Sequence, residues 1–243
     1  VYVSMAFSVA AASVPQEMAP KAVSKVFVGV SAGMVLGVPV TGFIAGHTSV
    51  SVAMAFFAIV NASVLIATIF CIPSLPVQRK LSYGAQLGVL KKAVTWHSVI
   101  AFTFINGAMF GFFSYMSDFL DTVTELPFDA VSVLLLVYGG ANIVGNVVAG
   151  RLLFRNARRC MIVVPFLLSA AYLLLFATGS QTIPASVLIL VLGILAGIAS
   201  NTGQYMISDA APEAPDFANG LFLTSANLGT TVGTAVCGVL ITG

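Results

Sequence analysis

The sequence predicts an all-α, polytopic membrane protein, on three observations. Of its 243 residues, 59% are hydrophobic and only 7% are charged. Ordinary soluble domains carry about 25% charged residues, so too few are present here to cover a soluble surface. Apolar runs long enough for a bilayer span, about 20 residues each, recur at 25–46, 50–72, 96–118, 130–150, 160–178, 185–207 and 218–242. Every Lys and Arg falls in alternate connections between these runs.

Taken in order, 1–14 is an eighth apolar run, and it reads as the shortened end of a further span. Val1 lies inside it with no initiator Met, and Gly243 closes another run. The chain is therefore expected to be a fragment, truncated at both ends. Lys21 and Lys25 form the first basic connection. Arg79, Lys80, Lys91 and Lys92 form the second, within 73–95, and Arg151, Arg155, Arg158 and Arg159 form the third. The positive-inside rule makes these connections cytoplasmic. The segments near His47, 118–129 and 179–184 carry no Lys or Arg and are expected outside. The acidic connection 208–217 departs from the trend, and its neighbours decide its side.

The longest connection, 73–95, divides the chain into 1–72 and 96–243. Its second piece, "LSYGAQLGVLKK", is expected to lie as a helix along the membrane surface. An internal repeat supports the division. Gly33, Gly37 and Gly42 recur at an offset of 196 as Gly229, Gly233 and Gly238, and Glu17 recurs as Glu213.

Several function classes are excluded or weakened. A net charge of +2 without a basic, aromatic-interleaved run excludes nucleic-acid binding. Cys71, Cys160 and Cys237 are far apart, without metal-ligand spacing, and read as small buried hydrophobes. No metal or other cofactor is expected. Gly29-Val30-Ser31-Ala32-Gly33 spells G-x-S-x-G, but a nucleophile elbow needs a strand, a turn and a helix. His47 is sixteen residues along the same span, about 24 Å away. No catalytic residue is assigned, and an intramembrane enzyme or a scaffold is the remote alternative.

"GVSAGMVLGVPVTG" instead reads as a packing element. Gly29, Gly33 and Gly37, four apart, form a smooth face for close helix approach. Pro39, which would cost a soluble helix about 3 kcal/mol, bends or loosens a turn, and Gly42 follows it. This run, set after a basic loop, resembles motif C of the major facilitator superfamily, a mark of the fifth helix in proton-coupled exporters. "GRLLFRNARR", Gly150 to Arg159, resembles a degenerate motif A, here in the loop after helix eight. Its usual Asp is Phe154 and the following Gly is Ala157. The nearest branch resembles the arabinose-efflux-permease-like drug:proton antiporters.

The resemblance implies a bundle of two pseudo-symmetric halves, with the eight runs as helices four to eleven of twelve. It gives 1–72 as helices four to six, 73–95 as the central cytoplasmic loop, and 96–243 as helices seven to eleven. It also implies export of small organic solutes by alternating access in exchange for protons, from a bacterial inner membrane, by a functional monomer. Uptake by the same fold is the nearer alternative.

Polar side chains inside hydrocarbon usually face a bundle interior or a water-filled cavity. Tyr138, Asn142 and Asn146 share one helical face. Asn106, Ser114 and Tyr115 lie on the run 96–118, Asn201, Gln204 and Tyr205 on 185–207, and Asn227 and Thr231 on 218–242. Together they are expected to line a solute pathway. Runs 50–72 and 160–178 are almost wholly apolar and are expected at the periphery. No carboxylate lies deep in a span, so any proton-coupling group is expected outside this stretch of sequence.

Overall fold

The computed structural model describes residues 2–71 and 83–242. Arg79 and Lys80 lie outside the described residues, as do the side chains of Pro39 and Cys71 and the surroundings of Gly42. The fold is helical throughout: α1 (Tyr2–Ala12), α2 (Ala19–His47), α3 (Val50–Cys71), α4 (Tyr83–Gly88), α5 (Ala93–Thr122), α6 (Phe128–Thr178), α7 (Thr182–Ala210) and α8 (Pro215–Thr242). Six of these are long and apolar enough to cross a membrane. The helix expected at the end of 73–95 is present as α4 followed by a 3-10 turn, Val89–Lys91.

Two of the expected spans are merged. The stretch Gly150 to Arg159, expected as a motif A-like loop, is helical apart from Asn156 (φ −160°, ψ 84°). Its Leu, Ala and Arg residues favour helix, and neither Gly nor Pro interrupts 151–159. Asn156 starts the second arm, and its Oδ1 accepts the backbone N–H of Arg159 at 3.0 Å as an N-cap does. A straight helix of 51 residues would be about 76 Å long, more than twice a bilayer core. The ends show that α6 instead folds back on itself. Thr124, four residues before α6, donates its hydroxyl to Gly179 O, just past the far end, at 2.8 Å. The chain therefore reverses at Asn156 and makes two spans.

Three helix pairings organise the bundle, each with a readable register. α2 and α6 run antiparallel, with Ser24 against Gly150, Ser31 against Asn142 and Asn146, and Val35 against Gly139. α5 and α8 run parallel, with Gly107 against Gly229 and Gly233, and Tyr115 against Gly238. The first arm of α6, 128–155, and α7 run parallel, with Gly193 under Tyr138 and Gly197 under Asn142 and Asn146. Glycine is required at these crossings. A Cβ built on Gly233 would overlap the Gly107 carbonyl, and one on Gly145 would overlap Ile194 O.

The glycine face expected to pack on α2 does not do so here. Nothing among the described residues lies within 4 Å of a Cβ built at Gly29, Gly33 or Gly37. The reason is rotational. α2 meets α6 along 24, 31 and 35, and Gly29 and Gly33 are two residues from Ser31, about 200° around the helix. Gly33 and Gly37 are therefore open while their repeat partners Gly229 and Gly233 are tightly packed.

The interior has two centres. One joins α5, α6 and α7 around Met116, Leu120, Leu153, Ile189 and Leu192. The other joins α1, α2, α5 and α8 around four phenylalanines. The Phe7–Phe27 ring centroids are 4.7 Å apart, and Phe222 lies 5.9, 5.8 and 4.8 Å from Phe7, Phe27 and Phe102. The Phe102 ring also covers Gly203 of α7. Counted along their helices, all four sit about 8–14 Å from the C-terminal end of α1 and the N-terminal ends of α2, α5 and α8.

At those ends Lys92 pairs with Glu213, N to O 2.5 Å, across the start of α5 and the α7–α8 connection. The hydrogen bond from Lys92, helped by a backbone N–H, holds the Glu213 carboxyl below its ordinary range. A lowered folded-state value stabilises above the unfolded value and is lost as pH falls through the folded one. The difference in thermal midpoint between the parent and Glu213→Gln should thus be small but steady near pH 7. It should close as the pH drops below the usual carboxylate range. A difference that persists there would mean the contact is not ionic.

Candidate functional site

The polar residues separate into four groups when their contacts are followed. The largest is a node at mid-depth in α2, α6 and α7. Ser31 Oγ donates to Asn142 Oδ1 at 2.7 Å. Asn146 Nδ2 donates to Ser31 Oγ at 2.7 Å and to Asn142 Oδ1 at 3.1 Å. Asn201 Nδ2 donates to Asn146 Oδ1 at 2.7 Å and to Gly197 O at 2.9 Å. Asn146 and Asn201 are buried, and Asn201 Oδ1 has no hydrogen-bond partner among the described residues. Tyr138, one turn above Asn142, is buried and stacks on Phe113 with centroids 5.2 Å apart.

A second group lies nearer the basic connections. Gln204 Nε2 donates to Asn219 Oδ1 at 2.8 Å and to Ser208 Oγ at 3.0 Å, and Asn219 Nδ2 reaches Ser8 Oγ of α1 at 2.9 Å. Tyr205, half-buried, packs against the α5–α6–α7 interior instead. A third group joins α5 to α8: Asn106 Nδ2 donates to Ala226 O at 2.6 Å and to Thr230 Oγ1 at 2.9 Å. Asn227 and Thr231 are exposed and bond their own helix, to Leu223 O at 2.8 Å and Asn227 O at 2.9 Å.

The fourth group lines a cavity of about 340 Å³ where α5 ends and α6 begins, on the side without Lys or Arg. Ser114, Ser117, Asp118, Asp121, Phe128 and Val131 form its wall. Ser114 Oγ also lies 3.2 Å from Thr234 Oγ1, and the Tyr115 hydroxyl crosses Gly238. The expected pathway residues are therefore not brought into one wall. Asn142, Asn146, Tyr138 and Asn201 are together, Asn106 and Gln204 are tied into separate interhelical bonds, and Ser114 is in the cavity wall towards the C-terminal end of α5.

At the other end, Gly150 lets α6 approach Ser24 and Lys21 of α2. Arg151, Arg155, Arg158 and Arg159 are all exposed around the reversal. Where the resembled motif carries Asp, Phe154 receives the Lys21 ammonium over its ring, 3.9 Å from the centroid. An aromatic face thus takes the place of a carboxylate at this contact.

Sequence reasoning assigned no role to Ser31, yet it makes two side-chain hydrogen bonds from α2 into the asparagine node. Its signal was available: Ser31 sits seven residues after Ser24, on the face of α2 opposite the glycines. The phenylalanine cluster was also missed. Its four members come from four helices far apart in sequence, and each alone looks like any membrane Phe.

Comparison with known proteins agrees with the helical architecture. The chain matches the Major Facilitator Superfamily over residues 1–234. It is 23% identical over 235 residues to the purine ribonucleoside efflux pump NepI of Salmonella paratyphi B, across 97% of this chain and 59% of that pump. The chain thus spans about three-fifths of the length of that relative. A match over nearly all its residues, with helices long enough to span a bilayer, means that the chain belongs to the Major Facilitator Superfamily and is a multi-pass membrane protein.

Proposed function

We propose that the intact protein is a secondary transporter that exports small organic solutes by alternating access, with protons moving inward. One observation carries this reading: a phenylalanine cluster closes one end of the bundle, and a cavity with polar residues in its wall lies at the other. On the Lys/Arg side, α1 and α2 close against α5 and α8 through Phe7, Phe27, Phe102 and Phe222. On the opposite side, a polar cavity opens at Ser114 and Asp118. Between them lies the asparagine node, where 1–72 meets 96–243. Such an asymmetric arrangement suits an outward-facing state, and a rocking of the two parts would exchange seal and opening.

Export rather than uptake rests on the resemblance to motif C and on the relative named as an efflux pump. Purine ribonucleosides are accordingly among the first solutes to test. The plasma membrane of a bacterium is the proposed location, and a monomer the proposed working unit. Inside-out vesicles carrying the intact protein should accumulate labelled solute when their lumen is acidified, and a protonophore should abolish this. Accumulation only in right-side-out vesicles under an inward proton gradient would replace export by uptake.

A further inference from the structure

The Ser31 hydroxyl occupies a two-sided amide site. It gives its proton to Asn142 Oδ1 and takes an N–H from Asn146 Nδ2, each at 2.7 Å. The amides are held from behind, since Asn146 Oδ1 accepts from Asn201, which is itself fixed by Gly197 O. These bonds set the orientation of each amide, because turning Asn146 alone would set oxygen against Asn142 oxygen and nitrogen against Asn201 nitrogen. Asn201 is buried, and among the described residues its Oδ1 is an unpaired acceptor beside the node.

An acceptor and a donor converging on one oxygen is the arrangement that recognises an alcohol. A hydroxyl satisfies both, a carbonyl or ether can only accept, and an ammonium can only donate. We propose that Asn142 and Asn146 form a hydroxyl-binding site for a neutral, hydroxylated solute of the polyol or sugar type, and that Ser31 fills it as an internal stand-in when solute is absent. The proposal rests on the transport reading, because it needs α2 to move away from α6 as the two parts rock. When Ser31 withdraws, Asn142 Oδ1 and the Asn146 N–H lose their partner inside a low-dielectric bundle. Leaving them unpaired is costly, so they favour a solute hydroxyl. Ser31 and the solute therefore compete for one place.

Competition has a signature that simple packing lacks. Binding of labelled ribose, arabinose and xylitol, and of their deoxy analogues, is measured on the purified intact protein. Ser31→Ala should bind at least one of the hydroxylated probes about 5- to 10-fold more tightly than the parent. Ser31→Thr, which keeps the hydroxyl, should return to the parent value. Adding Asn142→Ala to Ser31→Ala should remove the gain, and the matching deoxy probe should show none. Should the alanine variant not be recovered folded, Ser31→Cys, similar in size and a weak hydrogen-bonder, should show the same gain. Unchanged or weaker binding of every hydroxylated probe would overturn the site, leaving Ser31 a packing contact whose place water can take. Efflux in vesicles without the gain overturns the hydroxyl site alone, and the gain without efflux overturns the transport reading alone.

Discussion

Gly233→Ala is expected to lower stability by about 3 kcal/mol, at the upper end of what overpacking costs. At this crossing of α5 and α8 the added Cβ would overlap the carbonyl of Gly107, and backbone cannot swing aside as a side chain can. The two helices would have to separate along the whole contact, which also carries the Asn106 bonds to Ala226 and Thr230. Apolar side chains gain little from leaving lipid for protein, so close backbone approach is a main source of helix association here. The same change at Gly37 should act in the opposite direction. Nothing among the described residues lies within 4 Å there, and Ala is the better helix former by roughly 0.5–1 kcal/mol. Thermal midpoints of the two variants in one detergent would check the pair, and equal shifts would show that the α5–α8 contact is looser than described.

Phe222→Ala should have the other large effect, again about 3 kcal/mol, the low end for removing a buried aromatic. Phe222 is 4% exposed and touches the rings of Phe7, Phe27 and Phe102, so its loss opens a cavity among three helices besides its own. Phe222→Leu should recover most of the loss by refilling the volume. Phe176, 90% exposed at the end of α6, is the control, and its replacement by Ala should be nearly silent. A silent Phe222→Ala would mean that the four rings do not hold α1 and α2 against α5 and α8.

The helices were legible because lipid imposes one simple rule: a span must be apolar and about 20 residues long. Each of the eight apolar runs carries a helix among its described residues. The four phenylalanines lie at a common depth near the ends of α1, α2, α5 and α8, which the positive-inside rule and the alternation of spans assign to one side. What could not be read was rotation about each helix axis. The four-residue spacing of Gly29, Gly33 and Gly37 marks a face, but only contact shows whether a neighbour lies on it. α6 lies on the Ser24–Ser31–Val35 face, and the glycine face meets no neighbour among the described residues. Asn142 and Asn146 were correctly set on one face, while their binding to each other, to Ser31 and to Asn201 depends on a register between helices that no local pattern encodes. The Arg-rich stretch misled for a further reason. A reversal was expected to need a loop, whereas one capped, extended residue suffices.

That reversal bears on how the chain enters the bilayer during synthesis. The two arms of α6 have almost no linker between them, so they must be inserted as a single hairpin and not one after the other. Arg151, Arg155, Arg158 and Arg159 all ride at its tip. By insertion scales, carrying one arginine to the bilayer centre costs about 2.5–3.5 kcal/mol, so four together oppose translocation by roughly 10 kcal/mol or more. The tip therefore stays on the side of the ribosome while both arms sink in. The orientation of this stretch is thus expected to be set while it is being made, before α7 and α8 exist to pack against it.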